Sequence, residues 1–140
     1  MSMTNKLMRN AVKAVLALGL IAATASTSFG KESDWKAPAE AAGYKSTKKP
    51  DAASIAAGKK VYLKYCYLCH GEKGDGKGAS SRTLQMQPAS FTNKARMKAQ
   101  SDGALAWKIL NGRGPMPSWA PVLSEDEIWN VINYIRQFAK

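Results

Sequence analysis

The sequence predicts an all-α fold with three main helices joined by loops. Three segments repeat apolar residues at the three-and-four spacing of an amphipathic helix, and no segment alternates apolar and polar residues like a half-buried strand. Each segment begins at a residue suited to cap a helix N-terminus. The length of 140 residues allows one modest domain, and an apolar content of 45% is too high for a wholly disordered chain.

The first two helices are expected over residues 51–66 and 101–110. Asp51 and Ser101 are good N-caps because their side-chain oxygens can accept from a free backbone N–H of the first turn. The second helix is expected to stop at Asn111-Gly112. The apolar repeat of the first helix consists of Ile55, Gly58, Val61, Tyr62 and Tyr65, and that of the second consists of Ala104, Leu105, Trp107 and Leu110.

The third helix is expected from Ser124 to the C-terminus. Ser124 and Glu127 match a capping box, and the apolar repeat continues through Ile128, Val131, Ile132, Ile135 and Phe138. The stretch between the first two helices, residues 71–100, is rich in loop residues. A loop of that length argues against a compact protein domain unless something other than protein fills the core.

The first 30 residues have the pattern of a cleaved signal peptide. A basic start precedes a ten-residue apolar core at residues 14–23, and small residues follow. The basic residues are Lys6, Arg9 and Lys13. Cleavage is expected after Gly30, with Ala25 as second choice. The alternative is a buried or anchoring helix, but ten residues rise only about 15 Å, which is half the hydrocarbon thickness of a membrane.

The charge of the chain indicates the kind of partner. The full sequence has a net charge of +11, and loss of the leader would leave an excess of eight basic residues. Export would separate the protein from chromosomal DNA, so the basic surface indicates an acidic protein partner. No apolar run reaches the roughly 20 residues of a membrane-spanning helix, so stable membrane insertion is not expected.

Residues 31–50 are expected to form a linker or an arm laid along the surface of the domain. They are rich in Lys, Ala and Pro, and Pro38, Gly43 and Pro50 interrupt any regular period. The aromatic residues Trp35 and Tyr44 favour the arm. The domain proper is expected over residues 51–140.

The sequence Cys66-Tyr67-Leu68-Cys69-His70 is a C-x-x-C-H haem-attachment motif. One helical turn separates the two sulfurs, so each can form a thioether with one vinyl group on the same porphyrin edge. His70 directly follows Cys69 and can bind the iron as the proximal ligand. The motif predicts one covalently bound haem c.

Three other interpretations of the motif are weaker. A zinc site needs about four protein ligands, and the chain has only two cysteines and one histidine. A thioredoxin-like redox pair expects a βαβ context, which the helical pattern lacks. A structural disulfide between Cys66 and Cys69 would constrain almost nothing.

The opposite face of the iron is expected to be bound by Met116. This residue lies in Gly114-Pro115-Met116-Pro117, where the prolines stiffen the backbone and the glycine allows close approach to a flat ligand. Met116 could instead pack on the surface. Met86 and Met97 are the other methionines outside the leader, and both are expected to be packing residues in the core or at the haem edge.

These residues resemble the class I c-type cytochromes, and in particular their bacterial periplasmic branch. The resemblance covers about residues 52–140 and implies a cytochrome c fold, with three main helices and loops around one haem. It also implies that the first and last helices cross at Gly58, Tyr62, Val131 and Tyr134. Further family-like segments are the glycines at 71, 74, 76 and 78, the segment Pro88-Ala89-Ser90-Phe91 and the methionine loop.

One segment departs from the family pattern. Many members carry Gly-Pro-x-Leu about a dozen residues after the ligand histidine, and the proline carbonyl accepts the Nδ1 proton of that histidine. Here the segment reads Ser81-Arg82-Thr83-Leu84, which leaves open the carbonyl that orients His70. Trp107 or Trp119 could donate to a haem propionate, although packing is the expected role of each.

The resemblance implies a monomeric electron carrier without enzyme activity. With His70 and Met116 both bound, no coordination position would remain for a substrate, and the iron would cycle between Fe(III) and Fe(II). Partners would be redox proteins with acidic docking faces, such as a terminal oxidase, a reductase or a dehydrogenase. The basic residues expected around the haem opening are Lys73, Lys77, Arg82, Lys94, Arg96, Lys98 and Arg113.

Two alternatives to the free carrier stay open. The chain could be the haem subunit of a larger dehydrogenase or respiratory complex, with residues 31–50 as its docking arm. It could also be a haem enzyme or sensor with an open sixth site. The second alternative is weakened because no histidine other than His70 could serve as an acid–base group.

Overall fold

The computed structural model describes residues 35–139, and this part of the chain is mostly helical. The predicted signal peptide and its cleavage site lie outside the described residues. The α-helices of the described part are α1 (Ala52–Tyr65), α2 (Tyr67–His70), α3 (Lys94–Lys98), α4 (Asp102–Asn111) and α5 (Glu125–Ile135). Short 3-10 helices span Ala39–Gly43, Ala79–Thr83 and Arg136–Ala139. Residues 35–139 form no strand, which confirms the all-α prediction.

The three predicted helices are present and begin at the predicted caps. The Asp51 carboxylate accepts from the Ser54 N–H at 2.8 Å, and the Ser101 hydroxyl accepts from the Ala104 N–H at 3.1 Å. At the start of α5, Ser124 and Glu127 form both halves of the capping box. The third helix differs from the prediction at its end, since the α-helix stops at Ile135 and a 3-10 turn follows.

The first and last helices cross at Gly58, as the family resemblance implied. A Cβ added at Gly58 would lie 1.9 Å from the Asn130 carbonyl oxygen and 3.0 Å from the Tyr134 Cβ, so only glycine allows this approach. Around the crossing, Tyr62 is completely buried and Val131 is almost so. The rings of Tyr62 and Tyr134 have centroids 5.3 Å apart. This crossing forms the centre of the protein core.

Polar side chains beside the crossing tie three segments together. The Ser54 hydroxyl donates to the Asn130 side-chain oxygen at 2.7 Å, and the Asn133 amide donates to the Ser54 hydroxyl at 2.8 Å. The same amide lies 3.2 Å from the carbonyl oxygen of Lys49. Because Ser54 and Asn133 are buried, these hydrogen bonds remove the cost of leaving their polar atoms unpaired.

Residues 35–50 lie against the rest of the domain. Ala41 in the 3-10 helix is completely buried. A Cβ added at Gly103 of α4 would lie 2.1 Å from the Ala41 carbonyl oxygen. Trp35 packs edge-on against Trp107 with ring centroids 6.5 Å apart. Lys48 forms an ion pair of 2.6 Å with Asp126 at the start of α5. The segment therefore contacts both α4 and α5.

The loop-rich stretch at residues 71–100 contains two short elements that the sequence did not predict. One is the 3-10 helix Ala79–Thr83, and the other is α3, which Asn93 caps by accepting from the Arg96 N–H at 2.9 Å. Helix α3 places Met97 in the core, where only 1% of its surface is exposed. Five-residue elements give too short an apolar repeat to stand out in a sequence.

The Arg136 side chain fixes the end of α5 to the start of α4. Its guanidinium donates to the Asp102 carboxylate at 2.6 and 2.9 Å and to the Gln100 carbonyl at 2.6 Å. It also donates to the Met97 carbonyl. One partly buried cation thus satisfies acceptors in the turn between α3 and α4.

Among residues 35–139, no helix combines the length and apolar character needed to cross a membrane.

Candidate functional site

One turn of helix carries all three side chains of the haem-attachment motif. Helix α1 ends at Tyr65, and Cys66 forms the junction to the four-residue helix α2. The Cys66 carbonyl accepts from the backbone N–H groups of Cys69 and His70 at 3.3 and 2.9 Å. Gly71 ends this turn with φ +81°, a left-handed conformation that favours glycine. The two thiols and the imidazole are therefore presented from a single short segment.

The two thiols are unpaired in the structure and both are partly buried. Burial, and to a smaller extent the neighbouring Cys69, raises the pKa of the Cys66 thiol to about 12. Thioredoxin-like cysteines need a lowered pKa, because the thiolate is the form that attacks a disulfide. The environment of Cys66 therefore disfavours dithiol redox chemistry.

The His70 imidazole is fixed by a backbone carbonyl and an aromatic ring. Its Nδ1 lies 3.0 Å from the Ala89 carbonyl oxygen, and because a carbonyl can only accept, the hydrogen belongs on Nδ1. Phe91 stacks on the imidazole with centroids 4.6 Å apart and planes 18° apart. This arrangement leaves Nε2 unprotonated and available as a metal ligand.

The imidazole is neutral at physiological pH. Burial lowers the pKa of His70, and the hydrogen bond to Ala89 opposes this effect only in part. A neutral imidazole is the form that binds a metal ion. The hydrogen bond from Nδ1 also makes the lone pair of Nε2 a stronger metal ligand, as for other metal-binding histidines.

The carbonyl next to His70 comes from the segment Pro88-Ala89-Ser90-Phe91. Residues 81–84 do not supply this carbonyl, because the acceptor of the Nδ1 hydrogen bond is Ala89. The Ser81 hydroxyl donates to the Gly78 carbonyl at 2.7 Å within the turn that starts the 3-10 helix. A backbone acceptor has no side-chain signature, so the sequence could not identify Ala89.

The glycine-rich loop after the motif folds back onto it. The N–H groups of Gly76 and Gly78 donate to the carbonyls of His70 and Cys69 at 2.8 and 3.1 Å. The buried Tyr62 hydroxyl donates to the Gly71 carbonyl at 2.6 Å and links the loop to α1. The position of the motif is therefore fixed by both the core and the loop.

Met116 lies in a tight loop directly after α4. Arg113 and Met116 exchange two backbone hydrogen bonds, with N···O distances of 2.9 and 3.0 Å, and thereby close the loop. Its first residue, Gly112, has φ +64°, and the Gly114–Pro115 peptide bond is cis. The Met116 side chain is partly buried. The predicted loop after the second helix is thus closed by backbone hydrogen bonds.

The other two methionines occupy different environments. Met97 is enclosed in the protein core, whereas Met86 is 39% exposed, with its sulfur 3.7 Å from the Arg113 guanidinium. Met86 therefore contacts the same loop that carries Met116. Met97 belongs to the packing of α3 against the rest of the core.

Both tryptophans considered as propionate donors have packing contacts. Trp119 packs against Tyr65 with ring centroids 5.2 Å apart, and its backbone N–H donates to the Ile109 carbonyl at 3.1 Å. Trp107 packs against Trp35.

The basic residues predicted around the haem opening differ in exposure. The exposed ones are Lys73, Lys77, Arg82, Lys94, Lys98 and Arg113, and Arg96 is partly buried. Arg113 is engaged within the chain, because its guanidinium also lies 5.4 Å from the centre of the Trp35 ring. Lys73 and Lys77 belong to the glycine-rich loop that folds back onto the haem motif.

Comparison with known proteins identifies the family of this domain. Residues 53–135 match the family model described as cytochrome c oxidase, cbb3-type, subunit III. Cytochrome c6 of Cladophora glomerata is 33% identical over 85 residues, which cover 61% of this chain and 89% of that protein. Cytochrome c6 of Chlorolobion braunii is 35% identical over 88 residues, with coverage of 59% and 89%.

Solved structures resemble the domain as well. A chain of the Kuenenia stuttgartiensis reducing HAO-like protein complex has a TM-score of 0.60 and 31% identity. That likeness covers 66% of this chain and 47% of the other, so it spans about half of the larger protein. The c-type cytochrome KustC0563 has a TM-score of 0.52 and 25% identity, with coverage of 59% and 98%. The chain therefore belongs to the cytochrome c family that the matching model describes and is a class I c-type cytochrome, a haem protein of electron transfer.

Proposed function

We propose that this protein is a one-electron carrier that holds a single haem c through Cys66 and Cys69, with His70 and Met116 as axial ligands. When bound, the haem supplies an iron centre that cycles between Fe(III) and Fe(II). The observation that carries the proposal is the His70 arrangement, in which the Ala89 carbonyl fixes the tautomer and leaves Nε2 free.

The donor set of this site fits a covalently attached haem. Cys66 and Cys69 are separated by one helical turn and form no disulfide with each other. His70 comes from the same turn and is neutral because of its burial. The two cysteines would hold the haem at one edge, and His70 would bind it from one face.

Met116 is the second proposed ligand because its loop restricts where the thioether can move. The Arg113–Met116 backbone pair and the flanking prolines reduce the conformational freedom of the loop. A weak thioether donor benefits from such preorganisation, since little entropy is lost when it binds. Two filled axial positions would leave no room for a substrate, and this supports a carrier without enzyme activity.

The test of this ligand set is the absorption spectrum of the oxidised holoprotein. Methionine bound to ferric haem gives a weak charge-transfer band near the red edge of the visible range. We expect that band in the wild-type protein and in Met86→Ala, and we expect its loss in Met116→Ala. A high-spin iron without the band in the wild-type protein would instead favour the enzyme or sensor alternative.

We further propose that the carrier acts in the periplasm as a monomer and docks through its basic residues on acidic faces of redox proteins. The leader pattern at residues 1–30 supports export. Mass spectrometry of the mature protein tests it, with Lys31 expected as the first residue and Ser26 as the alternative. Retention of residues 1–30 would contradict export with cleavage.

A second candidate function is that the protein is the haem subunit of a larger respiratory or dehydrogenase complex. The family description names an oxidase subunit, and one similar chain lies in a protein complex. Gel filtration of the natively purified holoprotein separates the two candidates. Elution as a monomer without a bound partner supports the free carrier. Elution as a stable assembly with a second polypeptide supports the complex subunit.

A further inference from the structure

The indole of Trp35 is placed against two cations of the domain. Its ring centre lies 5.4 Å from the Arg113 guanidinium carbon and 5.6 Å from the Lys108 Nζ. Trp107 supports the ring edge-on at 6.5 Å. Trp35 belongs to the segment at residues 35–50, upstream of all three main helices, and it reaches a residue 78 positions later in the chain.

Arg113 is the residue through which this contact reaches the candidate site. Its guanidinium contacts both the Trp35 ring and the Met86 sulfur, which is 3.7 Å from its Nη2. Its backbone N–H and carbonyl make the two hydrogen bonds that close the loop around Met116. Anything that fixes the Arg113 side chain therefore reduces motion of that loop.

The local charges show why an aromatic ring is suited to this place. Lys108 and Arg113 repel each other, and burial together with the charges of Arg96 and Arg113 lowers the pKa of Lys108. The face of an indole attracts cations without adding a net charge. The ring can therefore hold Arg113 against the repulsion from Lys108.

We propose that Trp35 is a positioning residue for Met116, acting through Arg113. The inference rests on the proposed function, in which Met116 is an iron ligand. Loss of the ring would allow the loop to open more often, and opening is the step that must precede binding of an external ligand in place of Met116. A cation–π contact of ordinary strength that is broken before the loop opens corresponds to about a two- to fivefold change in the rate of opening.

The experiment measures the binding of imidazole to the oxidised, full-length holoprotein by stopped-flow absorption. At saturating imidazole the rate becomes independent of concentration and reports the opening of the loop. We expect this limiting rate to rise about two- to fivefold in Trp35→Leu and to stay close to the wild-type value in Trp35→Phe, which keeps an aromatic ring. Tyr44→Leu is the matched control, because it removes an aromatic ring from the same segment away from Arg113.

A double-mutant cycle tests the route through Arg113. Arg113→Lys keeps the charge but loses the planar group that packs on the ring. We expect Trp35→Leu and Arg113→Lys each to raise the limiting rate. We expect the double variant to open no faster than the faster of the two single variants, because both substitutions remove the same contact. The midpoint of thermal unfolding, measured for every variant, separates loop opening from general destabilisation.

The outcomes separate this inference from the proposed function. An unchanged limiting rate in Trp35→Leu, or an equal increase in Tyr44→Leu, would overturn the role of Trp35 while leaving Met116 as the ligand. A wild-type protein that lacks the methionine–iron band and binds imidazole without a limiting rate would overturn the proposed ligand set, and the role of Trp35 with it.

Discussion

The Cβ that Gly58 lacks would lie 1.9 Å from the carbonyl oxygen of Asn130 on the last helix. The obstacle is backbone, so no side chain can rotate away to make space. We expect Gly58→Ala to lower the free energy of unfolding by about 2–3 kcal/mol, although alanine would add about 1 kcal/mol of helix propensity. Denaturant unfolding of the holoprotein measures the change.

Gly43→Ala is the matched control for this substitution. No heavy atom lies within 4 Å of the added Cβ at Gly43, and its φ is not in the left-handed region. Its expected effect is within about 0.5 kcal/mol. Equal effects of the two substitutions would show that the helices are not in contact at Gly58.

The Arg136 side chain gives a second prediction about stability. Its guanidinium is partly buried and binds the Asp102 carboxylate and two backbone carbonyls, so its removal leaves several acceptors unpaired. We expect Arg136→Met to cost about 2 kcal/mol in denaturant unfolding, and Arg136→Lys to cost less because it keeps the charge. Arg82→Met, at an exposed position, should have almost no effect.

The capping box of α5 predicts a dependence of stability on pH. Hydrogen bonds from the backbone N–H and hydroxyl of Ser124 lower the pKa of Glu127 below its ordinary value of 4.5. The charged form therefore stabilises the fold at neutral pH, and that contribution disappears as the pH falls below 4.5 through the pKa of the folded state.

Glu127→Gln tests this dependence. The substitution should cost about 0.5 kcal/mol at pH 7, because the residue is partly exposed and water screens its charge, and the difference from wild type should vanish in acid. Unfolding curves at several pH values measure the effect, with Glu72→Gln as an exposed control. A difference that stays constant with pH would mean that the charge of Glu127 is not the stabilising factor.

The exposed basic residues predict salt-dependent electron transfer. Attraction between Lys73, Lys77 and an acidic redox partner should raise the association rate at low ionic strength. The second-order rate constant should fall as salt is added, and Lys73→Gln with Lys77→Gln should make this dependence shallower. Lys59→Gln with Lys60→Gln, on the exposed side of α1, is the control. A rate that does not change with ionic strength would contradict docking through charge.

The helices were predictable from the sequence because their determinants are local. Asp51, Ser101 and Ser124 each cap the helix that follows them, and the apolar repeats identify the buried sides. The crossing at Gly58 was predictable from the family resemblance. The all-α fold therefore follows from the sequence itself.

The features of the site that the sequence did not predict depend on contacts between distant segments. The Ala89 carbonyl could not be identified because every residue has a carbonyl, and only the path of the loop brings this one to His70. The Trp35–Arg113 contact joins residues far apart in sequence, and no periodicity records such a pair. The Arg136 contacts were missed for the same reason.

The crossing of the first and last helices also affects when the domain can form during synthesis. The Ser54–Asn130 and Ser54–Asn133 hydrogen bonds join residues 76 and 79 positions apart. None of these contacts can exist until the final helix has emerged, so a growing chain cannot close its core early. Residues 66–70 thus lie outside a closed core until the last helix has joined the fold, which leaves both thiols open to attachment chemistry up to that point.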